Sequence, residues 1–425
     1  MNFEMSEKNS SASGRLAGVA GTVAGGNDNL LYWLLLAPAV IVFFYQIGRG
    51  LGNTAYVLYW IAAAVLLVRQ RNFDFPIGVS GLFVMLLAWG TLSAALSVDP
   101  HSAYGKWAQY ALLGSSYFIT WRLVHHMPEF SVERALKMIG IVGLISFAHY
   151  AGRYLVLSMS PDFQPELQVH GLVPAYLSPF TLYFLRQTVL GKRGIALSLA
   201  YLTSLALLLV FSNSLTEVLT LATALGVMVF FVVPNKRLFI LALGAMALLF
   251  AALILLFDPA GAMLDQAKHT DGNWSALLSE LSSYRTLLWY QALTMPPPNL
   301  WLGVGPGNVG LYPPVVITET YKVGHLHNLV LDSWYEIGVV GLSVYLLFYG
   351  AQFRATKPGA GEPSFQQRGV MYATVAGVFV ASMLEQSYRS HHVALFVPFL
   401  FALYSRGTFD TTVSRRWLGP VLKKP

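Results

Sequence analysis

Between Val323 and Gly341 the chain reads V-G-H-L-H-N-L-V-L-D-S-W-Y-E-I-G-V-V-G, and several side chains in this stretch are suited to chemistry. A neutral imidazole at His327 can take a proton from a hydroxyl and act as a general base. Read from the residue alone, it can equally be an interfacial histidine that bonds backbone at a helix start. His325 and His327 alternate on an extended segment and could share a metal. However, the chain has no cysteine, and the nearby carboxylates Glu319, Asp332 and Glu336 make no recognisable ligand set, so no metal is expected. Asp332 and Glu336 are four residues apart and share a helix face. Ionisable groups at that depth usually line a polar cavity, where Asp332 could orient a catalytic imidazole. Glu217 and Glu385 pose the same question from other helices.

Upstream, Arg285 sits within S-Y-R-T-L-L-W. Its guanidinium presents forked donors that suit phosphate oxygens, although an arginine beside lipid headgroups also snorkels without binding substrate. Gly303, Gly305 and Gly307 form either a backbone nest for phosphate or a tight turn. No Gly-Lys-Ser/Thr follows them, so this is not a nucleotide loop. Lys322 adds positive potential close to His327. The pairs Trp289-Tyr290 and Trp334-Tyr335 are sugar platforms or interfacial anchors.

The elements that must hold these residues are membrane helices. Of 425 residues 55% are hydrophobic and only 11% charged, too little charge for a soluble domain of this length. Against a ruler of about 20 apolar residues per span, the sequence predicts about twelve transmembrane helices in an all-α polytopic protein. These are Leu30 to Ile47, Leu51 to Val68, Ile77 to Leu96, Trp107 to Val124, Ala135 to Leu157, Gly171 to Val189, Ile195 to Phe211, Thr216 to Val233, Leu238 to Phe257, Leu329 to Phe348, Val370 to Leu384 and Ser390 to Tyr404. The order is then a disordered tail (1–28), nine spans (29–257), one large loop (258–327), three spans (328–405) and a basic tail (406–425). Within the loop, Leu277, Leu281, Tyr284, Leu288 and Ala292 recur at helical spacing, so an amphipathic helix is expected over Trp274 to Leu293. Met295-Pro296-Pro297-Pro298 ends it.

Orientation follows from the basic residues. With the N-terminus inside, Arg49, Lys106, Arg153, Lys268, Arg285, Lys322 and Arg389 are outside, and the other twenty of the 27 Lys and Arg are cytoplasmic. Both termini are then cytoplasmic and the loop ending at His327 faces outward. The net charge of +7 reflects this bias, and nucleic acid is not expected as a partner.

His327-Asn328, followed after nine residues by Gly338 and then Gly341, resembles the signature of the bacterial O-antigen ligase and polymerase superfamily: His, then Asn, Ser or Gln, then two spaced glycines. The Arg285 segment is similar to the Arg-plus-Trp stretch that precedes the glycine-rich turn in that superfamily. The resemblance implies a GT-C-like glycosyltransferase with a large periplasmic loop. It would transfer O-antigen from undecaprenyl pyrophosphate to lipid A-core at the periplasmic face of the inner membrane, by inverting displacement and with no cofactor. His327 and Arg285 would be the catalytic pair, with Lys322, His325, Asn328 and Gly305 around the substrate and Asp332, Glu336 and Glu217 behind them. The family often carries a second arginine where this chain has Leu215, so Arg153 and Arg389 are the substitutes to test. An O-antigen polymerase, a protein O-oligosaccharyltransferase and, from another class, a lipid-linked glycan flippase are the alternatives. A flippase would place its site at the midplane and show internal repeats, and neither is visible.

Overall fold

A computed structural model describes residues 31–69, 75–126, 130–160, 171–189, 191–212, 214–232, 244, 285–312, 316–318, 321–322, 324–356, 365–384 and 390–405. The helices in chain order are α1 Leu31–Ile47, α2 Arg49–Arg69, α3 Ile77–Ala95, α4 Pro100–Gly114, α5 Ser116–His126, α6 Val132–Leu157, α7 Leu172–Thr188, α8 Gly191–Phe211 and α9 Leu215–Val232. After the loop come α10 Arg285–Thr294, α11 Leu329–Arg354, α12 Phe365–Leu384, a π-helical turn His392–Phe396, and α13 Val397–Leu403. The expected span Leu238 to Phe257, both tails, and the loop up to Tyr284 lie outside the described residues, apart from Gly244.

Four helices, α3, α6, α8 and α11, are long and apolar enough to cross a membrane; shorter apolar helices are Leu31–Ile47, Thr216–Phe231 and His392–Leu403. These features are those of an integral membrane protein. The segment Trp107 to Val124, expected as one helix, is two. It breaks at Ser115, whose hydroxyl turns back to the Leu112 carbonyl at 2.7 Å. One two-stranded hairpin departs from the all-helical expectation, with β1 Val316–Thr318 antiparallel to β2 Tyr321–Lys322.

Helix pairs carry the packing: α9 lies on α12, α6 on α7, and α11 on α3. The main core contains Leu86, Trp107, Tyr110, Phe180, Tyr345, Phe348, Phe396 and Phe399 among its buried members. Several buried hydroxyls are satisfied within their own helices, which suits a hydrocarbon setting. Ser198 donates to Gly194 O at 2.8 Å, Thr220 to Thr216 O at 2.7 Å, and Ser382 to Val378 O at 2.6 Å.

Helix α11 is broken at Gly338, where φ is 70° and ψ −178°. Only glycine takes that conformation easily, and there is also no room for a side chain, because a Cβ would meet the Trp301 carbonyl oxygen at 2.0 Å. The break frees backbone groups that must find partners at this depth. Val339 N–H donates to Leu300 O, while Tyr335 O accepts from Val304 N–H and Glu336 O from Gly305 N–H, each at 2.9 Å. The Ser93 hydroxyl reaches Glu336 O and Leu302 O, and the Trp89 indole N–H donates to Ile337 O. Gly341 leaves space for that indole, since its Cβ would lie 2.9 Å from Trp89 Cδ1. Both spaced glycines therefore serve one break, Gly338 by admitting the loop and Gly341 by admitting Trp89.

Candidate active site

Asn328 starts α11. Its Oδ1 accepts from Val330 N–H and Leu331 N–H at 3.0 and 3.1 Å, and its Nδ2 donates to Met383 O at 3.2 Å. An asparagine with its amide so used is a helix N-cap tied to the end of α12. The side chain that the sequence set beside substrate is buried and engaged at both ends.

One residue earlier, His327 has φ 53°, the only positive φ outside glycine among the described residues. A left-handed non-glycine residue costs on the order of 1–3 kcal/mol and persists only where its surroundings impose it. Here the surroundings are identifiable. Asp332, fully buried, takes the Leu326 N–H on Oδ1 at 2.7 Å, and its Oδ2 lies 4.0 Å from His325 Nδ1. His327 N–H donates to His325 Nδ1 at 3.2 Å, and the two rings stand 4.0 Å apart. Asp332 thus shapes the His loop through Leu326 and His325.

His327 is partly buried, and its Nδ1 is buried with no hydrogen-bond partner. Burial first, then the positive charges of His325 and Arg285, push its pKa from 6.5 down to about 3, so the imidazole is neutral at physiological pH. Arg285 opens α10, which packs on α11, and the Trp289 indole N–H donates to Leu326 O at 3.0 Å. Leu288, Ala292, Val304, Val309, Leu326 and Tyr335 form a small buried cluster beneath this assembly, and Tyr335 Oη donates to Met295 O at 2.6 Å. Trp289 and Tyr335 hence hold the loop together, while Tyr290 is 67% exposed.

The remaining candidates divide. Gly303, Gly305 and Gly307 all have positive φ, but Gly303 N–H donates to Asn299 O, and Val304 and Gly305 N–H to α11. The N–H groups of Gly303, Val304 and Gly305, where the sequence offered a phosphate nest, are thus engaged within the protein. Glu336 is fully buried on α11. Glu217, on α9, accepts the Gly171 N–H at 2.7 Å and pins the start of α7. Arg153 is exposed on α6, which packs against α7 and α8. Lys322 ends β2, and Arg389 and Glu385 lie outside the described residues. Among the described residues no group of three or more His, Asp or Glu converges to hold a metal.

Sequence reasoning missed Trp89 and Ser93, which close the break from α3. It also passed over His391 and His392 at the π-turn, where the His391 ring lies 3.6 Å from that of Tyr45 and Tyr176 Oη bonds His392 Nδ1 at 2.8 Å. The adjacent histidines in the sequence were the available signal.

A family model described as O-antigen ligase matches residues 199–346, about a third of the chain, from within α8 into α11. The matched region contains Arg285, His327, Gly338 and Gly341. No curated protein matches the chain.

Proposed function

We propose that this chain, a member of the O-antigen ligase/polymerase superfamily, is an O-antigen ligase. It would transfer polymerised glycan from undecaprenyl pyrophosphate to lipid A-core on the periplasmic face of the inner membrane. The observation that supports this most is His327: a neutral imidazole with a buried unpartnered nitrogen, held in a left-handed backbone, its pKa lowered by burial and by the His325 and Arg285 charges. In this reading the acceptor hydroxyl gives its proton to His327 as its oxygen forms a bond to the anomeric carbon. The bond from that carbon to the pyrophosphate oxygen breaks, and the electron pair leaves with the pyrophosphate, whose charge Arg285 stabilises. A single displacement inverts the anomeric centre. The leaving group is already activated, so the step requires no nucleotide. The orientation inferred from the Lys and Arg distribution places this chemistry outside, with both termini cytoplasmic.

The test is transfer from lipid-linked glycan to purified lipid A-core by matched amounts of wild type and variants, with donor binding measured beside it. His327→Ala is expected to lose at least ~10²-fold in transfer, the usual scale for a general base, while still binding donor. Arg285→Lys is expected to lose transfer and donor affinity, because a point charge does not replace a fork. Normal transfer by His327→Ala refutes the base. Chain extension of the donor without transfer to lipid A-core identifies a polymerase instead.

A further inference from the structure

The loop that closes the break in α11 carries its exposed side chains at a definable depth. Gly338 is sixteen residues before Arg354 at the far end of α11. Ser93, bonded to Leu302 O and Glu336 O, is sixteen residues after Ile77 at the far end of α3. At 1.5 Å per residue both helices put the break about 24 Å from the same face of the bundle. A hydrocarbon core is about 30 Å thick, so the break lies just inside the opposite boundary. Leu300 and Trp301 are held there by their own carbonyls: Leu300 O accepts Val339 N–H, and Trp301 O abuts Gly338. Their side chains are nonetheless 47% and 65% exposed. They continue a surface that belongs to the spans, because Val339 on α11 and Leu92 and Leu96 at the end of α3 are also exposed.

We propose that Leu300 and Trp301 are seated in the bilayer at the outer hydrocarbon boundary, making the Asn299–Leu302 turn a membrane-inserted element rather than part of a water-exposed loop. The occupant of this apolar surface is the acyl region of the surrounding lipids. Tryptophan favours such a boundary, and a non-helical backbone is tolerated there because its polar groups are satisfied by protein. Asn328 and His327 precede Gly338 at the N-terminal end of α11, on the side of the break away from Arg354. The seating of the turn depends on the fold alone; its meaning for catalysis rests on the proposed function.

The chain has no cysteine, so single cysteines report position directly. Trp301→Cys and Leu300→Cys, each carrying a nitroxide, are compared in phosphatidylethanolamine/phosphatidylglycerol vesicles with Leu347→Cys on the exposed face of α11 and with Gly324→Cys beside the His loop. A Cβ at Gly324 meets nothing within 4 Å. The expected result is relaxation by dissolved oxygen exceeding that by a water-soluble nickel chelate several-fold at 300, 301 and 347, with the reverse at 324. Labels at 300 and 301 that follow 324 overturn the proposal. Should Trp301→Cys fail to fold, the Leu300 label decides alone, because Leu300 makes its bond through the backbone. The measurement needs no turnover, so inactive protein with lipid-seated labels sinks the proposed function and leaves this inference standing.

Discussion

Removing the Arg285 charge is expected to raise the pKa of His327, but only part of the way to its ordinary value. The imidazole is depressed from 6.5 to about 3, chiefly by burial, then by the His325 and Arg285 charges. Arg285→Gln leaves burial and His325 in place, so the variant is expected to titrate above wild type and still below 6.5. The sign is fixed by electrostatics: a nearby cation disfavours imidazolium, and its loss favours it. The same reasoning gives the donor a role, since a bound pyrophosphate offsets Arg285 and makes His327 more basic at the moment a base is needed. Carbethoxylation of His327, followed peptide by peptide by mass spectrometry from pH 3 to 8, reads the neutral fraction without requiring activity. Wild type is expected to stay reactive far below pH 6.5, the Arg285→Gln midpoint to lie slightly higher, and pyrophosphate to raise the wild-type midpoint but not that of the variant. A wild-type midpoint near 6.5, or one that falls when Arg285 is removed, refutes the reasoning.

Gly338→Ala forces a Cβ onto the Trp301 carbonyl in a left-handed backbone, so purified yield and melting temperature are expected to drop sharply. Unchanged melting would mean that the break is dispensable. Asn328→Ala removes the α11 cap and the tie to Met383, costing about 1–2 kcal/mol. Asn328→Asp, which can cap but cannot donate to Met383, should fall between it and wild type in thermal unfolding. Reporter fusions after Arg193 and at Gly324 are expected to read cytoplasmic and periplasmic, respectively, and the opposite pattern would invert the assigned orientation. Transfer is expected to persist in EDTA; loss on chelation with rescue by a divalent cation would bring the carboxylates into the mechanism.

The bounds of α3, α6 and α11 were legible in the sequence because hydrocarbon thickness imposes a length and lipid an apolar composition, and these three helices fall close to their expected positions. The His loop was legible as a junction between polar and apolar segments. Asn328 carried a readable signal as well, an asparagine immediately before an apolar run, although its second bond to Met383 joins residues 55 apart and has no local trace. The glycine run was legible as a turn with a phosphate nest as its alternative, but the partners of its N–H groups were not. Free N–H groups in a turn suggest an anion, and only the fold shows that Tyr335 O and Glu336 O already accept them. Trp89 and Ser93 were invisible because their targets are carbonyls, which every residue possesses. His327 could be picked out by type, whereas its left-handed backbone depends on Asp332 acting across the loop.

The broken helix also bears on how the protein is made. A helix that opens its hydrogen-bond ladder in lipid exposes peptide groups at a cost of several kcal/mol each, so α11 would be a poor span if it entered the membrane alone. It does not enter alone. Trp89 precedes its acceptor Ile337 by 248 residues, and at ribosomal speeds α3 emerges on the order of 12–50 s before α11. The glycine turn follows just ahead of α11, with Val304 and Gly305 N–H destined for Tyr335 O and Glu336 O. The donors on Trp89, Ser93, Val304 and Gly305, and the Leu300 carbonyl that takes Val339 N–H, are therefore all synthesised before α11, so the chain can be threaded into the membrane from its N-terminus without leaving the gap open to lipid.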